Sequence, residues 1–161
     1  MTDTARAGFT RQAVEEISGL KNEPDWMRKR RIEAFDAYEK MPLPARTEEE
    51  WRRTDVSRLK LDGYVPFAAN GHGLDALPAD LRPAADASSR AGLLVQHNSA
   101  GVARELRDDL RAKGVIVTDL DTAVREHGDL VRRYFMTEAI PITYNKFTAL
   151  HAALWSGGAF I

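Results

Sequence analysis

Hydrophobic positions near the N-terminus recur every three or four residues, the period of one helix face. Val14, Ile17 and Leu20 follow Thr10, whose hydroxyl suits an N-cap, and Phe9 stands where it can staple onto Val14. Gly19 and Lys21 keep this helix short. The next stripe is longer: Met27, Ala34, Phe35, Tyr38 and Met41. Asn22 is placed to cap it, Pro24 and Asp25 fall in its first turn, Lys40 lies near its end, and Pro42 and Pro44 stop it. Thr47 and Glu50 have the spacing of a capping box, opening a helical turn that carries Trp51. The charge-dense stretch up to Leu61 is expected to stay helical.

Periodicity then lapses. From Asp62 to Gly92 the chain is rich in Gly, Ala, Pro, Asp and Ser, and Pro66, Pro78 and Pro83 break any long element. This reads as a flexible connection with at most a helical turn near Leu74 to Leu81. Leu93-Leu94-Val95 restores a strand signal, Asn98 to Gly101 supplies a turn, and Val102 to Leu106 can pair back as a hairpin. Asp108 to Lys113 fits either a turn or a short helix. Val115-Ile116-Val117 reads as a buried strand, followed by a short helix capped by Asp121 or Thr122 and a further turn from Asp129 toward Phe135. Beyond Pro141, Phe147, Leu150 and Leu154 mark a last helix, with Ala149, Ala152 and Ala153 small enough for close packing. Ser156-Gly157-Gly158 ends it, and Ala159-Phe160-Ile161 opens a strand that is expected to enter further structure.

Composition narrows the chemistry. Of 161 residues, 43% are hydrophobic and 29% charged, enough apolar surface for a core. The formal net charge of -1 points to neither nucleic acid nor an anionic membrane as partner. The absence of cysteine removes disulfides, thiolate ligands and thiol nucleophiles from this chain. No apolar run reaches the roughly 20 residues of a membrane span, and Met1 to Gly8 lacks the apolar core of a secretory signal, so a cytoplasmic location is expected.

Four groupings could carry chemistry. Val115 to Thr122 sets Asp119 and Asp121 after a hydrophobic run, similar to the nucleophile motif of haloacid-dehalogenase-type phosphatases, which would make the chain a Mg²⁺-dependent phosphatase-like enzyme. That family places Gly after its second Asp where this chain has Thr122, and needs later Lys and acidic motifs for which too little chain follows. The bland reading makes Asp119 a turn residue and Asp121 a helix cap. His72, His97, His127 and His151 show no metal-ligand spacing. Arg28-Lys29-Arg30-Arg31, beside Trp26, spreads around a helix and reads as a solvated face paired to Glu33, Asp36 and Glu39. Gly71 and Gly73, and the pair Gly157-Gly158, do not stand between a strand and a following helix, as a phosphate cradle requires. No metal, cofactor-binding or catalytic residue is assigned.

Two segments carry a resemblance. Glu23-Pro24-Asp25-Trp26-Met27, the Pro42-Leu43-Pro44 stop, and Glu49-Glu50-Trp51-Arg52 with Thr54-Asp55 occur in an order that resembles the N-terminal region of the SufB/SufD family, its SufD branch in particular. Gly114 to Leu120, then Asn145-Lys146-Phe147 through Trp155-Ser156-Gly157-Gly158 to Ile161, is similar to the family's approach to its right-handed parallel β-helix. Trp26, Trp51, Arg52, Asp55, Asn145, Phe147, Trp155, Gly157 and Gly158 are the motif residues. Tyr144 departs from the Asp that many relatives carry before Asn-Lys-Phe. The resemblance implies a scaffold component of the Suf iron–sulfur cluster assembly machinery, structural and docking in role, without catalysis and with no cofactor in this part. SufB- and SufC-like subunits are the implied partners of the full-length protein, through contacts outside these residues.

The expected fold is α+β. A helical segment at 1–61 and a flexible connection at 62–92 precede a small α/β portion at 93–161, which leads into a β-helix.

Overall fold

The computed structural model describes residues 8–67, 77–81 and 90–161. It is α+β, with helices α1 (Arg11–Leu20), α2 (Asp25–Lys40), α3 (Asp108–Arg111), α4 (Leu120–Glu126), α5 (Gly128–Tyr134) and α6 (Lys146–Leu154). Strands β1 (Gly92–His97), β2 (Ala100–Leu106), β3 (Thr118–Asp119) and β4 (Ala159–Phe160) form two antiparallel pairs, and a 3₁₀ turn spans Glu49–Trp51. Packing divides the chain into two units, Met1–Pro66 with Asp129–Trp155, and Phe67–Gly128 with Ser156–Ile161. The division is not linear as composition suggests: α6 belongs with the N-terminal helices, because its alanine face packs on α2.

In the first unit, Thr10 caps α1 as expected, its hydroxyl accepting from the Ala13 amide. Asn22 does not cap α2. It takes the left-handed conformation, φ 49°, and closes α1 in a Schellman arrangement: the Asn22 amide donates to Gly19 and the Glu23 amide to Ser18. That tight closure delivers Glu23 directly to the start of α2, whose N-cap is Pro24. α1 buries Ala13, Val14 and Ile17, α2 buries Met27, Ala34 and Phe35, and α6 buries Ala149, Ala152, Ala153 and Leu154. Burial of a single aliphatic side chain such as Ile17 is worth about 1.5–3 kcal/mol.

The helix expected to continue to Leu61 stops at Trp51. Asp55 accepts from both the amide and the hydroxyl of Ser57, a local closure that competes with helical hydrogen bonding. The Thr47–Glu50 capping box is not formed; the Glu48 carboxylate instead accepts from the Ala45 amide.

In the second unit, the expected hairpin forms. β1 pairs with β2 in a register that shifts between Val95 and Gln96, and Asn98 supplies a left-handed turn position at φ 52°. Leu77 and Val102 are buried against Leu93 and Val95. Val115-Ile116-Val117 is not a buried strand: it lies outside any ladder, and pairing begins only at Thr118. Of the expected connection, residues 68–76 and 82–89, which include His72, Gly71 and Gly73, lie outside the described residues.

Candidate functional site

Arg31 organises the first unit. It sits four residues after Met27 on the apolar stripe of α2 and is completely buried, which corrects its reading as part of a solvated face. Side chains on a helix lean toward its N-terminus, so the guanidinium reaches back to Glu23. Nε donates to Oε2 at 2.7 Å and Nη2 to Oε1 at 2.6 Å, a forked ion pair whose side chains are 0% and 1% exposed. Nη1 donates to the carbonyls of Ala153 and Trp155, both at 3.0 Å, where α6 runs out of internal partners. The guanidinium carbon lies 4.4 Å from the centre of the Trp155 ring, whose other neighbour is the edge of Phe135 at 5.1 Å.

The neighbouring Arg30 does the same for α5, donating to the carbonyls of Phe135 and Arg132 while resting over Trp26 at 5.5 Å. Burial, then the charge of Arg132, holds the Arg30 guanidinium below its ordinary pKa. Two members of the basic run are thus C-terminal caps for helices remote in sequence, where a cation meets the negative end of the helix dipole.

α6 returns the contact. Asn145 caps it, accepting from the Phe147 and Thr148 amides while Thr148 accepts from the Asn145 amide. Lys146, its first residue, sends Nζ to the carbonyls of Tyr38 and Met41 at 2.6 and 2.7 Å and lies 4.2 Å from the Tyr38 ring centre. Each helix of the α2–α6 pair therefore supplies a cation to the C-terminal carbonyls of the other. Phe147 packs on Trp51 at 5.4 Å, and the Tyr144 hydroxyl donates to the Glu50 carboxylate, which raises the tyrosine pKa.

Of the other expected motif residues, Arg52 is exposed and paired with Glu49 at 3.3 Å, and Asp55 is exposed in its turn with Ser57. Gly157 and Gly158, at φ 75° and 135°, stand against Gln96 and Leu120 of the second unit, where an added Cβ would come within 2.7 Å and 3.3 Å. Sequence reasoning missed Glu23, Arg31 and Lys146 as determinants. The available signal was the vacancy in the α2 stripe between Met27 and Ala34, which Arg31 fills.

The paired carboxylates have a structural occupation. Asp119, not Asp121 or Thr122, caps α4: its Oδ1 accepts from the Thr122 amide and its Oδ2 from the Thr122 hydroxyl, both at 2.8 Å. Arg104 stands 3.7 Å from Oδ2 and donates to Thr118. Both Asp119 oxygens are committed, unlike those of a nucleophile facing a substrate. Among the described residues, no group of three or more His, Asp or Glu is placed to hold a metal ion, and no helix is long and apolar enough to cross a membrane.

Residues 11–161 match the family model described as the SufBD protein N-terminal region. An iron–sulfur cluster assembly SufBD family protein of Mycobacterium tuberculosis is 36% identical over 98% of this chain and 19% of its own length. A SufBD family protein of Staphylococcus saprophyticus is 36% identical over 96% of this chain, and the iron–sulfur cluster assembly protein SufB of Bacillus subtilis 34% over the same share. The chain spans 34% of the length of each of these two relatives.

Proposed function

The chain belongs to the SufB/SufD family of iron–sulfur cluster assembly proteins, and from that premise we propose that it is the N-terminal, bracing part of a SufD-like scaffold subunit. Its work in this reading is mechanical and not catalytic. The helical unit is a rigid support that covers the first coil of a β-helix built by later residues and gates access to it. Cluster chemistry lies outside these residues, and the chain takes no cofactor of its own. The protein acts in the cytoplasm, and its full-length form assembles with SufB- and SufC-like subunits through contacts beyond this segment.

The observation that carries the reading is the Arg31 clamp. It joins two stretches of the family resemblance, Glu23 to Asp55 and the helix within Asn145 to Ile161, by two hydrogen bonds to Ala153 and Trp155, while Glu23 holds the guanidinium by two more. A fully buried, fully paired cation is suited to holding two helices in one geometry. The committed carboxylate of Asp119 favours this role over phosphoryl chemistry.

Affinity capture tests it. The tagged 161-residue chain, mixed with purified SufB and SufC, is expected to retain neither tightly. Tight retention of SufC would contradict the placement of that contact elsewhere. The name of the Bacillus subtilis relative favours a second reading, a SufB-like branch. A longer form that forms a complex with SufC and SufB supports the SufD-like assignment; one that requires SufD instead supports the other.

A further inference from the structure

Among the described residues the β3–β4 ladder has an unfilled continuation. Thr118 opposes Phe160 and Asp119 opposes Ala159, and the Leu120 amide donates to the Gly158 carbonyl at 3.0 Å. In an antiparallel pair each step forward on one strand is a step back on the other, and hydrogen-bonded pairs alternate with non-hydrogen-bonded ones. Leu120–Gly158 and Thr118–Phe160 are the bonded positions. Ile161 therefore falls opposite Val117, and the next bonded position on the β3 side is Ile116.

The segment before β3 lies outside any ladder: among the described residues neither Ile116 nor Val117 has a backbone partner on a neighbouring strand. The Val115 amide donates to the Leu110 carbonyl at 3.1 Å and the Gly114 amide to Arg111 with Gly114 left-handed, a Schellman closure after α3 that leaves the residues beyond Val115 to other partners. Val115 is 38% exposed, high for a valine next to a ladder. A groove of about 480 Å³ runs beside the segment, with Val115 to Thr118 and Leu106 on one part of its lining and the charged Arg104, Glu105, Arg111 and Glu126 on the rest; His127, also in the lining, stacks its ring on Phe160 at 5.8 Å. An edge whose Ile116 amide and carbonyl have no ladder partner among the described residues is a template for further pairing.

We propose that Val115–Val117 is the seat of the residues that follow Ile161 in a longer form of this chain, pairing as a direct extension of β4. The first such residue forms the hydrogen-bonded pair with Ile116, on the face shared with Phe160; the second stands opposite Val115. The inference rests on the reading of this chain as the N-terminal part of a longer scaffold subunit. It adds that the later structure is tied to this unit by a shared ladder and not only by a linker.

The chain has no cysteine, which makes crosslinking unambiguous. A short tail of alternating Thr and Val is appended after Ile161, and Val115→Cys is combined with a single cysteine at the first, second or third tail position. Directly opposed non-hydrogen-bonded residues have Cα atoms about 4.5 Å apart, within disulfide range. Oxidation with a glutathione buffer is expected to close the second-position pair within one chain at least about tenfold faster than the other two. The tailed chain without cysteines is expected to exchange its Ile116 amide hydrogen at least about tenfold more slowly than the untailed chain. Equal closure at all three positions, closure only between two chains, or an unchanged Ile116 exchange rate would each overturn the proposal. SufB and SufC capture does not depend on this register, so failure of the ladder and failure of the scaffold reading are distinguishable.

Discussion

Glu23 and Arg31 meet as a forked ion pair with both side chains out of contact with solvent, the acid at the exit of one helix and the base two turns into the next. An ion pair this deep gains little over apolar packing, but breaking it is costly. Glu23→Gln leaves the guanidinium charge buried and is expected to destabilise the fold by about 3–5 kcal/mol in urea denaturation. Glu23→Leu with Arg31→Met removes both charges and recovers most of that loss. It should stay about 1–3 kcal/mol below the parent, because the carbonyls of Ala153 and Trp155 lose their donor. A Glu23→Gln variant as stable as the parent would refute the clamp.

Lys146 makes the reciprocal cap, so Lys146→Met, which keeps the stem and removes the charge, isolates the cation at the end of α2. The expected cost is about 2–3 kcal/mol, for two charge-assisted hydrogen bonds to Tyr38 and Met41. Amide exchange should quicken in the last turn of α2, the helix that Lys146 caps but does not belong to. Exchange that quickens only in α6 would show the cap to be idle.

Gly157 is required by its backbone as well as by space. At φ 75°, with Gln96 atoms 2.7 Å from where a Cβ would stand, Gly157→Ala is expected to lower stability by about 1–3 kcal/mol. Gln96→Ala in the same chain should relieve the crowding but not the backbone strain, recovering part of the loss and not all of it. Thermal unfolding of the parent and the two variants reads the difference.

Asp55 should titrate below the ordinary carboxylate range, first because of the Ser57 hydroxyl and then because of the Ser57 amide, both of which donate to its ionised form. A folded-state pKa below the unfolded one means that the contribution to stability is present above the unfolded value and is lost as pH falls through the folded one. Ser57→Ala removes the larger cause, so the Asp55 carboxyl resonance should titrate at higher pH in that variant. Identical titrations with and without the hydroxyl would show that the turn does not persist in solution.

The Asp119 result shows how local signals were read correctly in kind but shifted in place. A short polar residue before a helix was legible, yet which of Asp119, Asp121 and Thr122 serves depends on where β3 stops pairing with β4, a tertiary fact. Helix ends set by a strong cap or by covalent geometry, at Thr10 and Pro42, were legible because their determinants are local. So was the hairpin around Asn98. Arg31 was not, because a charged residue type argues for the surface, and only the carbonyl ends of α6 and the position of Glu23 make burial affordable. The stretch after Trp51 failed for the opposite reason: Asp55 and Ser57 satisfy each other locally and withdraw from the helix. Val115–Val117 had the composition of a core strand, and composition does not reveal whether a partner strand is present to cover it.

The joining of α2 to α6 sets an order of events during synthesis. Arg31 is made 122 residues before Ala153 and 124 before Trp155, the groups that accept its hydrogen bonds. At roughly 5–20 residues per second, a ribosome leaves α1 and α2 waiting for about 6–25 s with the Met27, Ala34 and Phe35 face uncovered. Glu23 is already there to neutralise the arginine, so the waiting hairpin carries a paired charge and an open apolar flank. Completion of the first unit is therefore timed by translation speed across the intervening second unit.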